Sequence, residues 1–189
     1  MRELIFLKKY GFILAGGGIL FLLLFVILLC NSTLGGGYEG VAYVYLTVPF
    51  AEDVEYTITS NFGERIDPIE TDKIAFHSGI DLTAPEGTSI VASSDGVVVG
   101  VGYQENGLGN YVYLEHDLGG IKLYTMYGHM LDDSIVVKEG QEVQVKDKLG
   151  VMGSTGKSTG RHLHFMISVN KISYKKEDLL DPIILINGL

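Results

Sequence analysis

The sequence has no tryptophan, a single cysteine and four prolines in 189 residues. With Cys30 alone, no disulfide can close within the chain and no thiolate cluster can hold a metal, so any metal must rest on histidine, aspartate or glutamate. Positive charge is also scarce. Fourteen Lys and Arg against 23 Asp and Glu leave a net charge of -9, which argues against nucleic acid as the main partner, because a phosphate backbone seeks a basic face. No HExxH segment occurs, so a metallopeptidase arrangement with a glutamate base between two helical histidines is excluded. Nor is there an internal repeat. Beyond the N-terminal apolar run, no long stretch shows the helical period with caps, and only KKEDLLDPI near the end reads as a possible helical turn.

What is abundant is glycine, 25 residues, together with 11 Tyr and 8 Phe. After VAYVYLTV at 41–48, short strand candidates follow at regular intervals: TSIVASS, GVVVGVGY, NYVYLEH, IKLYTMYGH, SIVV and HLHFMISV. Asp-Gly, Asn-Gly, Gly-Gly and Lys-Glu-Gly turn signals separate them. Many short strands and almost no helix imply a mainly β domain, and the length after the apolar run suits one such domain. The aromatics supply core and groove walls.

Residues 11–30, GFILAGGGILFLLLFVILLC, carry no charge. About 20 such residues at ~1.5 Å rise span a bilayer core, and the run is apolar on every side, unlike a core helix. A cleaved signal peptide would be shorter and would end in small residues, and a lipoprotein signal wants a small residue just before its cysteine. Leu28 and Leu29 offer neither. Arg2, Lys8 and Lys9 precede the run, and no basic residue follows until Arg65. The expectation is a single-pass anchor in the cell membrane, with residues 1–10 cytoplasmic, 11–30 transmembrane and the rest extracytoplasmic. Residues 31–58 then form a linker and leading strand, the first ten of them polar and Gly-rich, and 184–189 a tail.

Five histidines are available: His77, His116, His129, His162 and His164. In a strand, residues two apart share a face, so His162 and His164 project together. His77 and Asp81, four apart with Gly79 between them, can converge on one cation. Nitrogen and carboxylate donors suit zinc, and three ligands leave a position open for water or substrate. Spacing alone leaves the membership of that set open. His129 ends a strand candidate, where it can reach over a site. His116, at a strand end before Gly-Gly, reads as an ordinary hydrogen-bonding residue. GSTGKS at 153–158 is not a phosphate loop, because the position that must be glycine is Val151. The glycines of that run suit a loop passing close to a bound peptide backbone.

In order along the chain, SNFGER at 60–65, HSGIDL at 77–82, APEGTSIVASSDGVVV at 84–99, YGHM at 127–130 and GSTGKSTGRHLHF at 153–165 resemble the elements of the lysostaphin-type zinc endopeptidases, the M23 family, which cleave peptidoglycan peptides. The resemblance runs from 59 to 183. It implies an antiparallel β-sheet domain of the lysostaphin-like, duplicated-hybrid type with an open groove, and one zinc ion per chain held by His77, Asp81 and His164. It further implies His129 and His162 as catalytic histidines. Asn61, Tyr127, Ser158 and Thr159 are expected along the substrate groove, Tyr127 because it stands two residues before His129. Arg161 stands where the family usually has proline, and Asp147-Lys148 replace a commoner Gly-containing turn; both bear on substrate preference. The expected substrate is the stem or cross-bridge peptide of peptidoglycan. A membrane-tethered scaffold or peptidoglycan-binding role in a sporulation, conjugation or secretion apparatus, with an unspecified protein partner, is the alternative from another class.

Overall fold

The computed structural model describes residues 46–67, 72–117 and 121–187, with the backbone of two short strands nearer the N-terminus. The chain divides into two compact units, Met1–Tyr45 with Leu118–Ile121, and Leu46–Asp117 with Lys122–Leu189. In the first, β1 (Ile5–Leu7) pairs antiparallel with β2 (Phe12–Leu14). The rest of the apolar run 11–30, with Cys30 and the linker to residue 45, lies outside the described residues. The described piece, Phe12–Leu14, is strand where helix was expected. Among the described residues no helix is long and apolar enough to cross a membrane.

The second unit is built from β3 (Leu46–Thr47), β4 (Thr57–Ser60), β5 (Gly63–Ile66), β6 (Ile74–His77), β7 (Ile80–Thr83), β8 (Ser89–Val91), β9 (Gly96–Gln104), β10 (Gly109–Asp117), β11 (Lys122–Met130), β12 (Glu142–Val143), β13 (Lys148–Val151), β14 (Leu163–Val169), β15 (Leu179–Leu180), the four-residue helix α1 (Pro182–Leu185) and β16 (Ile186–Asn187). The main sheet has eight strands in the order β12-β9-β10-β11-β14-β7-β4, with β15 attached to β14. Every pairing in it is antiparallel. The mainly β, antiparallel expectation therefore holds.

Strands β11 and β14 are buried along nearly their whole length, which is why they read as continuous apolar runs rather than alternating ones. Because side chains alternate, the register defines two rows. Val112, Tyr127, Phe165 and Ile80 stand opposite one another on one face. On the other face Met126 pairs with Met166 within a cluster that includes Leu108, Tyr113 and Leu179, with Phe62, Phe76 and Tyr111 packed against it. Two residues along the strands on that second face, Gly128 opposes His164, His164 opposes Asp81, and Asp81 opposes Ser60. That four-strand row is the floor of the site, with an apolar cluster behind it.

Three sequence expectations change here. SIVV at 134–137 is irregular rather than strand; it meets β13 through Val136 N–H to Leu149 O at 3.0 Å and through Ser134 Oγ, which accepts from Val151 N–H at 3.2 Å, and forms no ladder. The unit begins at Leu46, not 59, and takes in 184–187: Leu46, Phe50, Leu185 and Ile186 are buried, and β3 pairs in parallel with β16. The KKEDLLDPI segment splits into a 3-10 turn at Lys176–Asp178, strand β15 and α1, which Asp181 caps through Ile183 N–H with Pro182 in the first turn.

Candidate active site

His77 ends β6 and Asp81 lies in β7, the turn between them being pressed against β14. At Gly79 a β-carbon would fall 2.2 Å from the Phe165 carbonyl oxygen, so only glycine lets the chain pass there. The result is a triangle of donor atoms. His77 Nε2 lies 3.0 Å from Asp81 Oδ1 and 3.0 Å from His164 Nδ1, which is 2.9 Å from the same carboxylate oxygen. All three residues are buried, and among the described residues they form the one group able to share a metal.

Outer partners fix what these atoms are. His77 Nδ1 lies 2.8 Å from the Asn61 carbonyl oxygen. A carbonyl only accepts, so the proton sits on Nδ1 and Nε2 carries a lone pair. The Ser78 hydroxyl, 3.3 Å from His164 Nε2, can accept that atom's proton, and in this tautomer His164 Nδ1 is an inward-facing lone pair. Three electron-rich atoms facing one point repel one another unless a cation joins them, and two nitrogens with one carboxylate oxygen suit zinc. A tetrahedral zinc with ~2.0–2.1 Å bonds sets its donors ~3.3 Å apart, so the observed edges need widen only by a few tenths of an ångström. The residues fit the metal.

Two further imidazoles border this triangle in the same cleft, which has a volume of about 450 Å³. His129 is held by its own backbone N–H to Leu108 O at 2.6 Å and adopts φ +59°, a left-handed conformation that is uncommon outside glycine and gathers at functional sites. Its Nδ1 donates to Thr155 O at 2.7 Å. Burial, with smaller contributions from His162 and His164, holds its ring well below the usual imidazole value, down to about 4. His162 lies one residue before β14, its Nδ1 donating to Gly160 O at 2.8 Å and its Nε2 3.7 Å from Asp81 Oδ1. The structure thus gathers all five expected histidine and aspartate positions at one place.

The groove residues divide. Ser158 and Thr159 line the cleft. Asn61 is exposed and contributes its carbonyl to His77 rather than a side chain to the cleft wall. Tyr127 does not face the groove at all. It is fully buried on the opposite sheet face, its hydroxyl accepting from Ser93 N–H at 3.0 Å and lying 3.2 Å from Ser93 Oγ and 3.1 Å from Thr125 Oγ. The left-handed turn at His129 breaks the alternation that would otherwise keep residues 127 and 129 together. His116 is the ordinary hydrogen-bonding residue expected, bound to Asp95 O at 2.7 Å and Thr125 Oγ at 2.8 Å. Gly156, φ +71°, packs against Gly109 and Gly107 backbone; this glycine docks the loop on the β9–β10 hairpin instead of making room for a ligand. The sequence reading assigned no role to Arg65, which lines the cleft and reaches Asp81 Oδ2 at 3.2 Å. Its place in the SNFGER motif was the available signal.

Comparison with known proteins agrees with this geometry. Residues 75–176 match the profile of Peptidase family M23. An uncharacterized metalloprotease of Buchnera aphidicola is 38% identical over 131 residues, covering 69% of this chain and 32% of that protein. The peptidoglycan DD-endopeptidase ShyA of Vibrio cholerae is 39% identical over 118 residues, covering 62% and 26%. The chain thus spans about a third or less of the length of these curated relatives. Among solved structures, the catalytic domain of the antimicrobial peptidase lysostaphin from Staphylococcus simulans aligns with a TM-score of 0.59 at 31% identity, covering 68% of this chain and 90% of that domain. The match over more than half of the sequence, on a lysostaphin-like sheet whose buried donors suit zinc, places this chain in peptidase family M23, a family of zinc metallopeptidases.

Proposed function

We propose that this protein is a membrane-anchored zinc endopeptidase that hydrolyses peptide bonds in peptidoglycan, with His77, Asp81 and His164 as the metal ligands and His129 and His162 as the catalytic histidines. The observation that carries the reading is the coexistence, in one cleft, of a buried donor triangle and two imidazoles whose Nδ1 protons are already committed to backbone carbonyls. Bound zinc would supply Lewis acidity, polarising a carbonyl and lowering the pKa of water from about 15.7 towards ~7.

The chain's own groups supply the rest. Burial keeps His129 neutral at neutral pH, so its Nε2 can take a proton from the attacking water as the oxygen adds to the scissile carbonyl carbon. The same low proton affinity makes the protonated ring a strong donor to the departing amine nitrogen when the C–N bond breaks. His162, when protonated, donates from Nε2 to the oxygen that gains charge. Peptidoglycan as the substrate is supported by the relatives named DD-endopeptidases, and anchoring by the uncharged run at 11–30 and the basic residues before it.

The test is digestion of peptidoglycan of known cross-link type by the full chain, purified in mild detergent and loaded with zinc. New amine termini, identified by mass spectrometry, are expected, and they name the bond cut. A zinc-loaded protein that releases none from any wall type would overturn the enzymatic reading. Fractionation of expressing cells should place the chain in the membrane; recovery in the soluble fraction would remove the anchor.

A further inference from the structure

We propose that Arg65 is a positioning residue that fixes Asp81 as a one-oxygen ligand; this rests on the metal-centre reading above. Asp81 divides its oxygens between two tasks. Oδ1 faces both imidazoles, whereas Oδ2 is turned away and accepts from Arg65 Nη1 at 3.2 Å. The same Nη1 also donates to Ser60 Oγ, which lies 3.4 Å from His77 Nδ1. The two protons of one guanidinium nitrogen therefore hold the carboxylate directly and the neighbour of His77 at the same time.

The fold brings these residues together. Arg65 and His77 sit on the two arms of one hairpin, with Arg65 opposite Ala75 and His77 opposite Gly63. Ser60 stands opposite Asp81 in the main sheet. Phe76, between Ala75 and His77, is packed edge-on against Phe62 with 5.2 Å between centroids and is covered by the Lys176 ammonium at 4.4 Å, so the hairpin is pinned from both sides. Arg65 is part of the cleft wall but only 30% exposed, in a place where its charge is neither fully hydrated nor buried without a partner.

The consequence is chemical. A carboxylate with both oxygens available can chelate and take two coordination positions, one of which the water or carbonyl needs. Occupying Oδ2 prevents that. Outer partners of this kind typically contribute ~10–100-fold in metal affinity or activity. Because the guanidinium also repels a cation, its two effects on affinity oppose each other, and coordination number is the decisive readout.

The experiment uses the full chain in detergent with cobalt(II) in place of zinc, comparing the unsubstituted protein with Arg65→Gln and Arg65→Lys. The visible absorption of cobalt is intense at low coordination number and weak at high. The unsubstituted protein should absorb strongly. Arg65→Gln should lose at least about twofold in intensity as Asp81 engages through both oxygens, and Arg65→Lys, which still offers Oδ2 a cation, should recover most of it. An Arg65→Gln spectrum equal to that of the unsubstituted protein overturns the proposal, as does an Arg65→Lys spectrum no stronger than Arg65→Gln. If circular dichroism shows Arg65→Gln unfolded, Arg65→Lys decides: unsubstituted intensity supports the proposal and a twofold loss overturns it. Failure of the unsubstituted chain to bind cobalt is a separate result, which removes the metal-centre reading and this proposal with it.

Discussion

His129 and His162 face each other with ring centroids 4.6 Å apart, and both give their Nδ1 proton to carbonyls of one loop, Thr155 and Gly160. A single loop thus sets the tautomer of both rings and presents both Nε2 atoms beside the donor triangle.

Ligand and catalytic histidines should separate on substitution. His129→Ala is expected to keep zinc and to lose ~10²–10⁴-fold in turnover, the usual contribution of a positioned acid or base. His164→Ala should lose both. Zinc content by atomic absorption, measured alongside amine release from peptidoglycan, distinguishes the two; loss of zinc in His129→Ala would contradict the assignment.

Acid should destabilise the metal-free protein in part through His129. Its ring is held down to about 4 by burial, against ~6.5 in an unfolded chain. Between these values the unfolded chain binds a proton that the folded one refuses, so stability falls as pH drops from ~6.5 to ~4, and this group takes no more below that. The gap corresponds to on the order of 3 kcal/mol. His116 and His164, both lowered by burial, act in the same direction. Denaturant titrations of the chelated protein at pH 7 and pH 4 should show a smaller loss in His129→Gln than in the unsubstituted chain; equal losses would exclude His129 as a contributor.

Tyr127→Phe tests the corrected placement of that residue. Removing the hydroxyl leaves the Ser93 N–H without its acceptor inside the core, whereas the Thr125 hydroxyl keeps His116, at a cost of about 1–3 kcal/mol. Activity per zinc-loaded folded molecule should not change. A drop in kcat with unchanged stability would return Tyr127 to the groove.

Gly79→Ala should damage the metal site through the backbone. The added methyl meets the Phe165 carbonyl oxygen, and overpacking of this kind costs about 1–3 kcal/mol. The 77–81 turn must then lift from β14, parting His77 and Asp81 from His164. Reduced zinc content together with a lower denaturation midpoint is expected; normal zinc content would show that the turn can yield without moving its ligands.

The ordered motifs made the site legible before the fold was. HSGID, YGHM and HLH are separated by dozens of residues, yet each occupies a neighbouring strand of one sheet, and local spacing already implied a shared face for His162 and His164. The long central strands were legible as well, because β9, β10 and β11 are apolar or alternating over nine residues each. Strands of four residues such as TITS, GERI and IAFH are too short to show a period, and they were missed. SIVV has the composition of a strand but no ladder partner. Tyr127 was misplaced for a different reason: the left-handed residue at 129 reverses the parity of the strand, and no sequence rule announces a histidine with positive φ. The role of Arg65 depends on the hairpin that carries it past Asp81, a tertiary relationship beyond any local pattern.

The parallel pair between β3 and β16 joins Leu46 to Ile186 and Thr47 to Asn187. All the strands that carry the donor triangle and its neighbours, from β4 to β14, lie between those partners. All of them precede β16 along the chain, so their pairing does not depend on it. Contacts across so long a stretch of chain form slowly, so the strands of the donor triangle can pair with one another before Ile186 and Asn187 fasten Leu46 and Thr47 in place.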